Sequence, residues 1–156
     1  MQQDPQPSLA TIDVVFQLFV EISITQMLAT TEMTRVLPHK LTFSQFSLLS
    51  HFSRTENVPR SIVELARIFQ VTKPSMGETV DKLLSKGFVK VEANPADRRE
   101  KIVSLTEQGA AAKRDAEKAI HPLLESMIEQ MGVAQFEAAY TALRPIRQWM
   151  DDNRNV

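Results

Sequence analysis

Three charged residues in a turn-forming segment carry the most specific chemistry in this sequence. Asp97, Arg98 and Arg99 lie within residues 94–99, a stretch that also contains asparagine, proline and alanine. A narrow A·T-rich minor groove attracts arginine because its negative potential is enhanced, and Asp97 can brace Arg99 through a charge-assisted hydrogen bond. From the spacing alone, a solvated turn with unrelated charges remains the alternative.

A second polar set lies upstream, on a predicted helix whose other face is apolar. Its candidate DNA-binding members are Lys73, Ser75, Thr79 and Lys82. An α-helix fits a major groove about 12 Å wide, and the amides of its first turn can meet phosphates. Gly77 costs the helix about 1 kcal/mol relative to alanine. It either permits a close backbone approach or is simply tolerated.

The elements around these residues predict a helix-turn-helix followed by a hairpin. The first helix opens with a capping box at Ser61, and the second has Thr72 as its N-cap and ends at Gly87. About three residues join the two helices, as in DNA-reading motifs. Alternating apolar residues in 88–92 and 101–105 then predict a β-hairpin with the arginines at its tip.

Helices are predicted on both sides of this motif. They cover residues 11–37, 42–54, 106–131 and 134–152, and the last two contain Pro122 and Pro145, where bends are expected. The first is apolar almost all round, which suggests burial on more than one side, with a second subunit as the natural partner. The expected fold class is mostly α, with about six helices and a β-hairpin wing.

Charge and composition narrow the functional classes. The net charge is −1, but residues 57–106 hold nine Lys/Arg and six Asp/Glu, a net of +3 that leaves −4 for the rest. A basic middle region suits contact with phosphate through one surface. There is no cysteine, and His39, His51 and His121 are scattered without ligand spacing. We therefore expect no metal site and no cofactor.

The N-terminal residues and the lengths of the apolar runs indicate where in the cell the protein is expected. The first eight residues are polar with two prolines and are expected to be frayed. The first ten show no signal-peptide pattern, and we expect no apolar run of the roughly 18 residues needed to span a bilayer. These features favour a cytoplasmic protein without a membrane partner.

At this point the sequence resembles a known family. The pattern ADRREKIVSLTEQG, after a helix-turn-helix that ends in DKLLSKGFV, is similar to the multiple-antibiotic-resistance regulator (MarR) family of bacterial transcription factors. The length and helix order also fit, so the resemblance covers nearly the whole chain. The matching positions are Leu41, Thr42, Gln45, Val80, Asp81, Leu83, Lys86, Gly87, Asp97, Arg98, Arg99, Leu105, Thr106 and Gly109.

The resemblance implies an intertwined homodimer and a role in transcription. Residues 1–40 and 106–156 would form a helical dimerisation region, and residues 41–105 a winged helix-turn-helix, within one continuous domain. The two winged regions would bind a pseudo-palindromic operator in double-stranded DNA. Asp97 would orient Arg99, which would enter the minor groove. The chain departs from the family at Gly77 and Glu78, so the usual base contacts cannot be carried over there.

The resemblance also implies a ligand-responsive repressor. A small aromatic or anionic effector would bind in a crevice whose candidate lining is Phe16, Met27, Phe43, Phe46 and His51. Two alternatives stay open. An enzyme finds little support, because there is no phosphate loop and no supported catalytic set. A winged-helix module that binds protein or senses a ligand without reading DNA is favoured by Glu78 and Asp81 on the presumed reading face.

Overall fold

A computed structural model of the protein describes residues 8–154. Its helices and strands are, in order, α1 (Leu9–Val36), α2 (Phe43–Arg54), β1 (Arg60–Ser61), α3 (Ile62–Ile68), α4 (Lys73–Ser85), β2 (Val89–Ala93), β3 (Lys101–Leu105), α5 (Glu107–Met131) and α6 (Val133–Asp152). The predicted helical fold with a hairpin wing is confirmed. Apart from Ser8, the N-cap of α1, the expected frayed segment lies outside the described residues.

The chain divides into two compact units, Met1–Ala116 and Glu117–Val156, with α5 contributing to both. The first unit contains α1 and the winged helix-turn-helix at residues 41–105, called the winged part below. The second unit contains α6 and the end of α5. The assignment of the helical regions to dimerisation remains a prediction. Pro122 and Pro145 lie within α5 and α6, and each of these helices is assigned as a single continuous element.

Local capping explains where the short helices begin. The Thr42 side chain accepts from the Gln45 backbone N–H, and the Gln45 side chain accepts from the Thr42 backbone N–H. Ser61 and Glu64 make the same two bonds at the start of α3. Each pair satisfies two backbone donors that a helix N-terminus leaves free. Both predicted capping boxes are confirmed.

The sheet contains one strand more than the sequence predicts. Its order is β1-β3-β2, all antiparallel, with Arg60 opposite Val103 in the extra pairing. A two-residue strand is too short to show an alternating pattern. Asn57 fixes the loop before it: its side chain donates to the Leu105 carbonyl at 3.0 Å and accepts from the Leu105 N–H at 2.7 Å.

The apolar core lies mostly within the winged part. Its largest fully buried side chains come from the segment before α2 and from α2, α3, α4 and both long strands: Leu41, Leu48, Leu49, Phe52, Leu65, Val80, Leu83, Val89 and Val103. This core fixes the orientation of α4 and the hairpin, which carry the candidate DNA-binding residues.

Helices α1 and α6 differ from the helices of the winged part, because neither has a buried residue in the single chain. In α1, an 18-residue window reaches a mean hydropathy of 1.5, so this helix is long and apolar enough to cross a membrane by length and composition. The expectation that no run reaches that length was wrong. Core helices of soluble proteins meet the same criterion, and apolar composition alone does not separate the two cases.

Candidate nucleic-acid interface

The tip of the hairpin is a hydrogen-bonded turn. Asn94 donates from its side chain to Glu100 Oε2 at 2.7 Å and accepts from the Ala96 N–H at 3.0 Å. The carboxylate of Asp97 accepts from the backbone N–H of Arg99 at 3.0 Å. These bonds fix the backbone of the tip, and the side chains of Arg98 and Arg99 are exposed beyond it.

Asp97 thus orients the arginine in a different way from the expected one. The sequence suggested a charge-assisted bond between the carboxylate and the Arg99 side chain, whereas the observed bond is to the Arg99 backbone. An aspartate that bonds the backbone two residues later forms an Asx turn. The turn positions the arginine through its main chain and leaves the guanidinium donors directed to solvent.

Helix α4 begins with a cap and presents its first turn to solvent. The Thr72 hydroxyl accepts from the Ser75 N–H at 3.3 Å, and Lys73 and Ser75 are exposed. The Thr79 hydroxyl is half-buried and donates to the Ser75 carbonyl at 3.1 Å. Lys82 is exposed and pairs with Glu78 at 3.1 Å. Lys73, Ser75 and Lys82 are therefore accessible to a phosphate, and Thr79 is less so.

Two glycines have different physical roles here. A Cβ added at Gly77 would meet no atom within 4 Å, so protein packing does not require glycine at this position. A Cβ at Gly109 would lie 1.9 Å from the Phe88 carbonyl oxygen, so only glycine fits where α5 crosses the start of the hairpin. Glycine at 109 positions the wing, whereas glycine at 77 leaves the flank of α4 bare.

Lys86, at the end of α4, ties that helix to the turn after α1. Its ammonium donates to the carbonyls of His39 at 2.9 Å and Lys40 at 2.7 Å, and to Gln45 Oε1 at 3.4 Å. His39 and Lys40 both have positive φ angles, 58° and 51°, a conformation that side chains with a Cβ adopt at a cost. Burial, and secondarily the charge of Lys40, lower the pKa of Lys86.

This combination of winged part, wing tip and capped α4 matches a known family. Residues 39–100 match the MarR family, and the match includes α2, both helices of the helix-turn-helix and the wing tip. Over these residues the chain is similar to the MarR family. The fold and the matched family are those of transcriptional regulators rather than enzymes.

Several solved structures share the fold over most of their length. The transcriptional regulator BldR from Sulfolobus solfataricus is 27% identical, with a TM-score of 0.73 over 92% of this chain and 97% of that one. A mutant MarR from E. coli, complexed with operator DNA, is 24% identical, with a TM-score of 0.70 over 89% and 100%. BpsR from Bordetella bronchiseptica, whose DNA binding is regulated by 6-hydroxynicotinic acid, is 20% identical, with a TM-score of 0.71 over 84% and 98%.

The residues predicted to line an effector crevice have diverse surroundings. Phe16 and Met27 are exposed on α1, and Phe43, Phe46 and His51 are half-buried on α2. The His51 ring makes edge contacts with Phe52 and Phe69. Desolvation, with the charges of Arg54 and Arg60, lowers the pKa of His51. The set remains a prediction.

An open depression of about 470 Å³ is lined by a different set: His39, Lys40, Lys86, Phe88, Gln108, Ala111, Ala112 and Asp115. The ring of His39 lies edge-on to Phe88, and His39 Nε2 is 3.0 Å from the Asp115 carboxylate. Sequence reasoning missed this depression and the Lys86 contacts. The lining residues lie far apart along the chain, so no local pattern indicated them. Among the residues that the structure describes, no group of three His, Asp or Glu side chains could hold a metal.

Proposed function

We propose that this chain is a DNA-binding transcriptional regulator that acts in the cytoplasm as a homodimer and responds to a small ligand. The observation that carries the proposal is the exposed arginine pair on an Asx turn, beside a capped α4 with exposed lysines, in a chain whose residues 39–100 match the MarR family. Arginines at a fixed tip suit a minor groove, and a capped helix suits the adjacent major groove.

Two copies are needed to read a palindromic site. A two-fold dimer places its two reading helices about 34–36 Å apart, one turn of B-DNA, so the operator would consist of two inverted half-sites with that spacing. The exposed apolar faces of α1 and α6 support the dimer, since a monomer rarely leaves apolar surfaces of this extent in water.

The test is a titration of DNA with matched variants. Duplexes from the region upstream of the gene would be titrated with the wild-type protein, Arg99→Ala and Arg147→Ala. We expect Arg99→Ala to lower affinity by about tenfold to a hundredfold, because a charge-assisted contact contributes roughly 1.5–3 kcal/mol. Arg147 is exposed on α6, so its variant removes an equal charge from a helix that is not part of the winged helix-turn-helix.

Equal affinities for wild type and Arg99→Ala would refute the role of the wing tip. The salt dependence adds a second measurement, because each lost phosphate or groove contact lowers the slope of log affinity against log salt by about one. A sedimentation measurement on each variant would establish that the oligomeric state is unchanged.

The alternative function, a winged-helix module that binds another protein, is favoured by one observation. Glu78 and Asp81 are exposed on the outward side of α4 and oppose phosphate. If this alternative holds, wild-type protein will show no binding to any duplex at low salt, where phosphate contacts are strongest.

The ligand-responsive part of the proposal rests on the depression beside Lys86. Lys40 and Lys86 supply positive charge, and Phe88 and His39 supply ring surface, a combination that suits a small aromatic acid. An acid there would contact Lys86 at the end of α4, so binding could change the position of the reading helix. Calorimetric titration with 6-hydroxynicotinic and benzoic acids, for wild type and Lys40→Gln, measures this. Equal heats of binding for the two proteins would exclude the depression as the binding site of these acids.

A further inference from the structure

We propose that Glu78 selects a base in the operator and that this base is cytosine. The inference rests on the proposed function, since it assigns a role to α4 within a DNA complex.

Glu78 occupies the centre of the outward face of α4. Met76, Val80 and Leu83 are the buried residues of this helix, and with 3.6 residues per turn they define one inward stripe. Glu78 projects almost directly opposite that stripe, in the N-terminal half of the helix, and its side chain is 69% exposed. Pro74, one turn earlier on the same line, has no side-chain donor or acceptor.

One basic and one acidic residue flank this line. At 3.6 residues per turn, Lys82 projects about 40° to one side of Glu78 and Asp81 about 60° to the other, whereas Lys73 projects about 140° away, beside the buried stripe. When a helix lies in a major groove, its outermost line faces the base edges, and its two flanks face the phosphates of the two strands. The arrangement therefore places the Glu78 carboxylate at the bases and Lys82 at the phosphates of one strand.

A carboxylate at the bases discriminates among them by charge. It only accepts hydrogen bonds, so guanine and thymine, which present acceptor oxygens, repel it. Adenine presents an amino donor beside the N7 acceptor, whereas cytosine presents its N4 amino donor without a neighbouring acceptor. Cytosine is the base that satisfies Glu78 without an opposing contact.

The surroundings of Glu78 fit this role. Lys82 pairs with it at 3.1 Å in the free protein, and such exposed pairs are weak. The carboxylate can exchange this partner for a base, while the nearby ammonium reduces its repulsion from phosphate. Gly77 leaves the neighbouring surface of the helix without a side chain, and no protein atom lies within 4 Å of where its Cβ would be. That bare surface allows the helix to lie close to the groove.

The experiment is a selection from a randomised duplex pool, followed by affinity measurements on the selected site. It compares wild type, Glu78→Gln, Glu78→Ala and Asp81→Asn. For wild type we expect cytosine at one position of each half-site, preferred by about tenfold to a hundredfold over the other bases. Glu78→Gln should move that preference to adenine, whose N6 and N7 match an amide. Glu78→Ala should abolish it and leave the other positions unchanged.

Asp81→Asn is the matched control, because it removes one acidic charge from the same exposed side of α4. It should retain cytosine at the Glu78 position. The inference is wrong if both Glu78 variants select the wild-type motif or only bind all sequences more tightly. If wild type selects no motif at all, the proposed function fails together with it, so the two failures are distinguishable.

Discussion

The winged part buries its apolar residues, whereas the two outer helices, α1 and α6, leave theirs exposed. In α2, Leu48, Leu49 and Phe52 are fully buried by neighbours within the same chain. In α1 and α6 no residue is buried, and Phe16 and Trp149 remain 62% and 67% exposed. One chain therefore completes the core of the winged part but does not cover α1 or α6.

This difference separates two kinds of stability. The winged part is held by contacts within one chain, so its folding should be independent of protein concentration. The outer helices are apolar enough to require a second surface, and burying that surface is the main favourable contribution to association. Protein concentration should therefore determine whether a second chain covers the apolar faces of α1 and α6. Through that association it should also determine the spacing between the two DNA-reading helices.

The largest expected effect comes from placing a charge on α1. In a two-fold dimer each substitution occurs twice, and burying one phenylalanine contributes about 1.5–3 kcal/mol. We expect Phe16→Asp to weaken the dimer by about 3–6 kcal/mol, measured by sedimentation over a range of concentrations. Gln17→Asp, at an adjacent exposed polar position, is the control. Equal dimer affinity for Phe16→Asp and wild type would show that this part of α1 lies outside the interface.

A second pair of variants tests the winged core. Leu83 is fully buried, whereas the adjacent Leu84 is 43% exposed. We expect Leu83→Ala to lower the free energy of unfolding by about 2–5 kcal/mol because it removes transfer energy and leaves a cavity. Leu84→Ala should cost much less. Urea denaturation at two protein concentrations measures both effects, and similar losses for the two variants would contradict the assignment of the core.

The features that could be predicted from sequence are those set by residues close together in the chain. The capping boxes at Thr42 and Ser61 depend on side chains three residues apart, so their helix starts were correct. The end of α4 before Gly87 was correct for the same reason, since glycine readily adopts the φ of 71° found there.

The features that were missed depend on contacts between distant residues. Strand β1 exists because Arg60 pairs with Val103, and two residues carry no periodic signal. The Lys86 contacts join residues 41 to 47 positions apart. In the candidate site, sequence identified the wing tip but not which atom of Arg99 the Asp97 carboxylate binds.

A third variant tests the link between the winged part and the turn that follows α1. Lys86→Met removes three hydrogen bonds from an ammonium to oxygen atoms, two of them the backbone carbonyls of His39 and Lys40. The expected loss is about 1–3 kcal/mol in the free energy of unfolding. Lys82→Met removes an exposed ammonium from the same helix and should cost less than 1 kcal/mol. Equal losses would indicate that the Lys86 bonds contribute no more than a surface ion pair.

The smallest expected effect is a pH dependence from His51. Desolvation, then Arg54 and Arg60, lower the pKa of His51 in the folded state, so below about pH 6.5 the unfolded chain binds more protons than the folded one. The contribution of His51 to stability is therefore complete above pH 6.5 and declines as the pH falls towards the folded-state pKa. His51→Gln should reduce the loss of stability between pH 7.5 and pH 5.5 in urea titrations. Because His51 lies in the winged part, the reduction should be the same at every protein concentration, and a reduction that depends on concentration would place its origin in the association of chains instead.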